Sequence, residues 1–296
     1  MRYAWIETQR DCYPLTRLCG VLKVSRSGYY AWRRRPPSAT AERRQAIAQA
    51  AQQSHRDSHG TYGYRRVHQD LREDPAIACG RETVRRVMAD LGLSGRPKRR
   101  FVKTTDSNHA EPVATNLLQR DFTATRPNQK WLADITYIRV AAGWLYLAVI
   151  LDCFSRRIVG WSLSRQIDAE LVCTALEMAL RQRCPQGNVV HHSDRGVQYA
   201  SQALRDLLER EGLMMSMSRK GDPWDNAMME SFFGSLKSEW IATGYATEEA
   251  ARTEVFKYIE MFYNPTRRHS ALGYLSPAEY ERQYETGRLT PMDEAA

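Results

Sequence analysis

Apolar positions recur at helical spacing through the first hundred residues and at strand spacing afterwards, so the chain divides by period before any chemistry is considered. In LTRLCGVLKVSRSGYYAWRRR (15–35), two short apolar-periodic stretches flank Gly20. Ser25 is placed to cap the second, which predicts a small helix-turn-helix unit. PPSAT (36–40) breaks the pattern, and AERRQAIAQAAQQSHRD (41–57) has the composition of a helix that stops before the turn-rich HGTYG. Val67 and Leu71, then Val84, Val87, Met88 and Leu91, mark two more short helices within 62–74 and 81–93. Residues 101–120 carry little pattern and are expected to be a linker.

Beyond the linker, KWLADITYIRV (130–140) and WLYLAVILDCFSRRIVGWSLS (144–164) are rich in β-branched and aromatic residues and predict three antiparallel strands. An amphipathic helix (168–183), a strand (188–194), a helix (201–212) closed by Gly212 and a strand (213–218) follow. Then GDPWDNAMMESFFGSLKSE (221–239) opens as a loop and continues as a helix, and TEEAARTEVFKYIEMFYN (247–264) predicts one more, ended by Pro265. The order βββαβαβα predicts an α/β fold of ribonuclease-H-like arrangement, a mixed five-stranded sheet with flanking helices, behind a helical helix-turn-helix-type region. The expected divisions are a helical segment (1–40), a helix-turn-helix-like DNA-binding domain (41–100), the linker (101–120), the sheet domain (121–285) and a tail (286–296).

Charge says what the front is for. The net charge is +9 with a pI of 9.3, but residues 1–110 hold 22 of the 43 Lys and Arg against 10 of the 34 Asp and Glu, a local net of +12. The remainder nets −3, so a polyanion is expected to be gripped by the front third. Arg81, Arg85 and Arg86 lie off the apolar stripe of their helix, as in a helix presented to DNA, and Lys98, Arg99 and Arg100 in GRPKRR invite phosphate. The six cysteines form no Cys-x-x-Cys pair, and His55 and His59 have no nearby cysteine pair to complete a zinc site, so no zinc is expected. No stretch approaches the roughly 20 apolar residues of a membrane span, which predicts a soluble, cytoplasmic, nucleoid-associated protein with no membrane partner.

Three carboxylates stand out by position. Asp134 interrupts a strand with Leu132, Thr136 and Ile138 on its own face; either its charge is paired or metal-bound, or the position is an exposed edge. Asp194 ends the strand VVHHSD, where open α/β sheets place ligand-binding residues, though Asp-x-Gly also suits a turn cap. Glu230 shares a helical face with Asn226 and Lys237; Asp222 and Asp225 suit the entry loop, and Glu239 is expected to be a solvated acid. Acids gathered from strand, strand end and helix repel unless a divalent cation lies between them, and Mg2+, with Mn2+ as a substitute, suits an oxygen donor set. Two such ions about 4 Å apart would support in-line phosphoryl transfer.

The separation of Asp194 from Glu230, with 35 residues between them, resembles the Asp-Asp-35-Glu signature of retroviral integrases and insertion-sequence transposases. WLADITYI, HSDRGVQY, DNAMMESFFGSLKSE and YNPTRRHSALGYLSPAEY together resemble the second-frame protein of the IS-three transposase family, over nearly the whole chain. The resemblance implies an integrase core with Asp134, Asp194 and Glu230 as catalytic metal ligands, Mg-dependent cleavage at element ends and strand transfer. It also implies duplex DNA with terminal inverted repeats as substrate, a homo-oligomeric synaptic complex, and Asn226 and Lys237 directed toward DNA. Retroviral integrases add a His-His-Cys-Cys zinc domain whose cysteine pair is missing here. Active members of the family usually carry an upstream-frame part with a zipper; this chain shows none, which makes the upstream-frame protein a candidate partner. Arg267 and Arg268 have two readings, a surface charge cluster or DNA contact beside the catalytic helix. Rival functions are a non-catalytic DNA-binding regulator and a stand-alone nuclease.

Overall fold

The computed structural model describes residues 1–97, 114–219, 226–241 and 244–289. Lys98, Arg99, Arg100, Asp222 and Asp225 lie outside the described residues.

The chain begins with α1 (Arg2–Gln9), α2 (Leu15–Val21) and α3 (Arg26–Arg34), which bury Ile6, Leu18, Cys19 and Tyr29 in a core of their own. The Ser25 hydroxyl accepts the Gly28 amide at 3.0 Å and starts α3 as its position predicted. α1 was not anticipated, because its one buried side chain, Ile6, makes no period. α4 (Ala39–Asp57) starts inside the expected break, since the Ser38 hydroxyl after the two prolines accepts the Ala41 amide at 3.2 Å. With α5 (Tyr64–Arg72) and α6 (Arg81–Asp90) it gathers Ile47, Ala51, Val67, Leu71, Val84, Val87 and Met88 into one core.

The sheet follows as β1 (Lys130–Val140), β2 (Gly143–Asp152), β3 (Ile158–Ser164), β4 (Val190–Ser193) and β5 (Met214–Met217), in the order β3-β2-β1-β4-β5. β1 to β3 form an antiparallel meander, and β4 and β5 join parallel through the crossover helices α7 (Ala169–Arg183) and α8 (Gln202–Arg210). Side chains alternate between two cores. Trp131, Ala133, Ala148 and Ile150 pack toward α7 and α8, while Leu132, Ile138, Leu147 and Val149 pack on the face that receives α9 (Ala227–Glu239). α7 lies close on β3 because residue 160 is glycine; a Cβ there would stand 2.2 Å from the Ala175 carbonyl oxygen.

The expected helix over 247–264 forms as α10 (Glu248–Phe256) and a π-helical continuation, Lys257–Tyr263, whose wider turn buries Tyr258, Ile259, Phe262 and Tyr263. Asn264 then clamps β3, its Nδ2 donating to the Ile158 carbonyl and its Oδ1 accepting the Ile158 amide, both at 2.9 Å. α11 (Pro277–Glu285) was not anticipated, although Ser276 and Pro277 carry a helix-start signal and the Ser276 hydroxyl accepts the Glu279 amide at 3.2 Å. No helix among the described residues is long and apolar enough to cross a membrane.

Three expectations are corrected between α9 and this C-terminal segment. Glu239 is 7% exposed, not a solvated acid, and Arg267 is 3% exposed, not a DNA-facing cation. Arg267 donates to both Glu239 oxygens, at 2.6 and 2.5 Å, and to the Ser235 hydroxyl at 3.0 Å; Arg66 approaches Glu239 at 3.5 Å and Tyr258 donates to it at 3.2 Å. Arg268 is also turned inward, bonded to Asp70 and Glu73 on and beside α5. Tyr62 completes that junction by accepting the Arg268 amide at 2.7 Å and donating to the Thr266 carbonyl at 3.1 Å. His55 meets the Ser94 carbonyl at 3.1 Å, and His59 packs edge-on against Trp240 and Phe262.

Removing one partner of a buried pair strands the other charge. Glu239→Gln is expected to lower unfolding free energy by about 3–5 kcal/mol in urea titrations; a change under about 1 kcal/mol would contradict the role given to the pair. His191, enclosed in β4, supplies a pH-dependent term. Burial, and then the neighbouring His192 charge, push its pKa down from 6.5 to about 4, so below pH 6.5 the unfolded chain takes up a proton that the folded chain refuses. Stability from this group is therefore complete above pH 6.5 and is lost as pH falls toward 4, by about 3 kcal/mol. His191→Gln should flatten that part of the stability profile, and an unchanged profile would refute the assignment.

Candidate active site

The parallel pairing of β1 with β4 sets Lys130 opposite Val190, Trp131 opposite His191 and Leu132 opposite His192. This 60-residue offset is the same one that separates Asp134 from Asp194, so extending the register by two residues brings the two carboxylates alongside each other, just past the carboxyl end of β4. Asp134, half-buried, lies on the even-numbered face of β1 with Leu132 and Ile138, the face that α9 covers.

Asp134 is held from two directions. Its Oδ1 accepts the Ile135 amide at 2.7 Å, and its Oδ2 accepts from Nδ2 of Asn226 at 2.8 Å. Asn226 stands at the start of α9, but its side chain makes no cap bond to the helix. It is 8% exposed, and its Oδ1 is buried without a partner among the described residues. The expectation of Asn226 as a DNA contact is thereby corrected: the side chain positions a carboxylate, and burial shuts it off from a duplex. Burial, and next the Asp194 charge, push the Asp134 carboxyl well above its usual range; the Ile135 amide opposes this, Glu230 adds a smaller push and Lys237 partly offsets it.

Asp194, half-buried, accepts the Gly196 amide at 2.9 Å, so it closes the turn after β4 as well as facing Asp134. Glu230 is exposed in the first turn of α9. Its influence on Asp134 is weaker than that of Asp194. Among the described residues, no three of His, Cys, Asp and Glu are gathered closely enough to hold a metal ion. The sheet fixes the two aspartates together, whereas Glu230 rides on a helix that approaches them from outside it.

Lys237 lies 4.3 Å above the ring of Tyr137, which meets Trp144 edge-on. Burial lowers the Lys237 pKa and the Asp134 charge raises it in part, so the ammonium over Tyr137 of β1 feels Asp134. Tyr199 escaped sequence reasoning. Its hydroxyl is buried without a partner among the described residues, and burial, followed by the Asp134 and Asp194 charges, pushes its pKa far up. The phrase HSDRGVQY carried that signal five residues after Asp194, but an aromatic there reads equally as core. Elsewhere, Arg81, Arg85 and Arg86 are exposed on α6; Arg85 and Arg86 pair with Glu82 at 2.7 and 3.0 Å, surface contacts that phosphate can displace.

With the geometry in place, comparison with known proteins gives a consistent answer. Residues 124–223 and 211–277 match two models described as integrase core domains, and residues 42–101 match an HTH-like domain. The Shigella sonnei insertion element IS600 uncharacterized 31 kDa protein is 43% identical, covering 90% of this chain and 98% of its own. The Escherichia coli transposase InsF for insertion sequence IS3A is 42% identical, covering 96% of this chain and 99% of its own. Among solved structures, a chain of the simian T-cell lymphotropic virus intasome aligns over 83% of this chain and 78% of its own, with 14% identity and a TM-score of 0.48, too distant to carry a functional conclusion. The relatives match along almost their full length, and on that ground the chain belongs to the IS3 family of insertion-sequence transposases.

Proposed function

We propose that the chain cuts one DNA strand at each end of its insertion element and joins the freed 3′-hydroxyl to a second phosphodiester, using Asp134, Asp194 and Glu230. The observation that carries this is the β1–β4 register, which sets two carboxylates side by side at the carboxyl end of β4 while a third acid on α9 acts electrostatically on Asp134. As they stand in the described residues the three acids are not gathered around one point, but the mutual repulsion of Asp134 and Asp194 and their oxygen donors suit a hard divalent cation, Mg2+ or Mn2+, which the two aspartates would hold with Glu230 completing the set. Such ions, when bound, supply charge neutralisation at the phosphodiester and activation of the attacking water or hydroxyl.

The chain's own residues do the rest. The Asn226 amide keeps the Asp134 carboxylate oriented, and the Gly196 amide keeps that of Asp194. Lys237, carried on the same helix as Glu230, offers a positive charge to the phosphate backbone beside the acids. Arg81, Arg85 and Arg86 on α6 grip the duplex, so that end binding and cleavage occur on one chain. The working form is a homo-oligomer that pairs two element ends, with the upstream-frame protein as a further partner.

On labelled duplex carrying the element's end, Asp194→Asn is expected to reduce cleavage and joining by about 10³-fold or more while leaving binding intact. Undiminished cleavage would overturn the catalytic reading and leave a DNA-binding regulator; cleavage without joined products would leave a nuclease. Asn226→Ala is expected to raise the Mg2+ concentration for half-maximal cleavage by about 10–100-fold, as loss of a ligand-orienting contact does. An unchanged metal requirement would remove Asn226 from the site.

A further inference from the structure

The N-terminal unit lies outside every matched segment (42–101, 124–223 and 211–277), and the function above makes no use of it. Its helices α2 and α3 are joined by the four residues Leu22 to Ser25, with Lys23 in the left-handed region at φ 52°, which gives a compact helix-turn-helix. We propose that this unit is a second element that reads duplex DNA, with the outer face of α3 laid on the duplex. The proposal rests on the transposase reading and adds a second DNA contact to it.

The inner and outer faces of α3 differ sharply. Inward, Tyr29 is 1% exposed, packs at tilted and edge-on angles against Tyr3, Tyr30 and Trp32, and donates its hydroxyl to Glu7 on α1. Gly28 faces the same way; a Cβ there would meet the Tyr3 hydroxyl at 2.3 Å. Outward, Arg26, Ser27, Tyr30 and Arg34 share an arc of about 100° at helical spacing, and all four are exposed.

Charge identifies the occupant. Residues 1–35 contain eight Lys and Arg and two acids, Glu7 and Asp11. Arg10 contacts both acids, at 3.1 and 3.7 Å, and Arg33 approaches Glu7 at 3.5 Å. Arg17, Lys23, Arg26, Arg34 and Arg35 have no acidic partner among the described residues. A fold that holds five uncompensated cations on one small unit, two of them in line with a serine and a tyrosine on an open helix face, matches phosphate on both sides of a groove with polar side chains between. A helix-turn-helix places its second helix in the major groove, and α3 is the second helix here.

The test uses the whole chain in chelator, where no strand is cut, so failure of the catalytic assignment leaves it unaffected. Long duplexes of random sequence are selected on the protein, and a selected duplex is titrated at about 50 and 200 mM salt. The parent is expected to select two separate sequence blocks. Arg26→Ala with Ser27→Ala should lose one block and keep the other, and Arg26→Ala with Arg34→Ala should lower the slope of log affinity against log salt by about 2. These side chains are exposed, so the unit's core stays intact, and unchanged circular dichroism verifies it. A parent that selects one block, or variants with both blocks and the slope preserved, would overturn the proposal; so would a reduced slope with both blocks kept, since the unit would then grip without reading.

Discussion

The pairing of β4 with β1 is the constraint on which the rest of the molecule depends. β4 is four residues long and is held by parallel bonding on both edges, to β1 and to β5. That register fixes which residue of β4 faces which residue of β1, and therefore which acids meet. Because side chains alternate across a sheet, a slip of β4 by one residue would turn Asp194 to the face opposite Asp134, whose own side β2 fixes along β1. The crossover helices, the close seat of α7 on Gly160 and the two separate cores all hold this single alignment in place.

Much of that arrangement was legible in the residues. The β-branched runs of β1 to β3 and the strand-helix alternation behind them predicted a mixed five-stranded sheet, and the structure supplies its order, β3-β2-β1-β4-β5. Asp134 was legible through its awkwardness as an acid among apolar neighbours, and Asp194 through its place at a strand end. The C-terminal segment was harder. Whether Glu239 meets water depends on Arg267, 28 positions away, and no local period reports a partner at that distance. Asn226 misled in the opposite way: its place on one helical face with Glu230 and Lys237 suited a DNA contact, yet its amide is bonded to a strand in another part of the chain.

Charge counting singled out the front third as the expected seat of a polyanion but could not sort its arginines. Some are engaged by the protein itself, as Arg66 is beside Glu239, and as the exposed Arg96 is by donating to the Glu239 carbonyl at 2.7 Å. Others stand on open faces of α3 and α6. The distinction is energetic: a guanidinium bonded to a buried carboxylate is fixed by the cost of desolvating both groups, whereas one paired on the surface exchanges partners freely. A net charge treats the two alike.

The junction of Tyr62, Asp70 and Glu73 with Thr266 and Arg268 limits how the two parts of this chain can be exchanged. The surface that α5 and its entry turn offer to the sheet domain is not a neutral hinge but a matched set of donors and acceptors, with His59 wedged against Trp240 and Phe262 beside it. A recombinant that joined the helical front of one element's transposase to the catalytic half of another would bring together two unmatched halves of this contact. Changes of target ends are therefore expected to accumulate as point substitutions on the outward helix faces, with the front and rear halves inherited as one block.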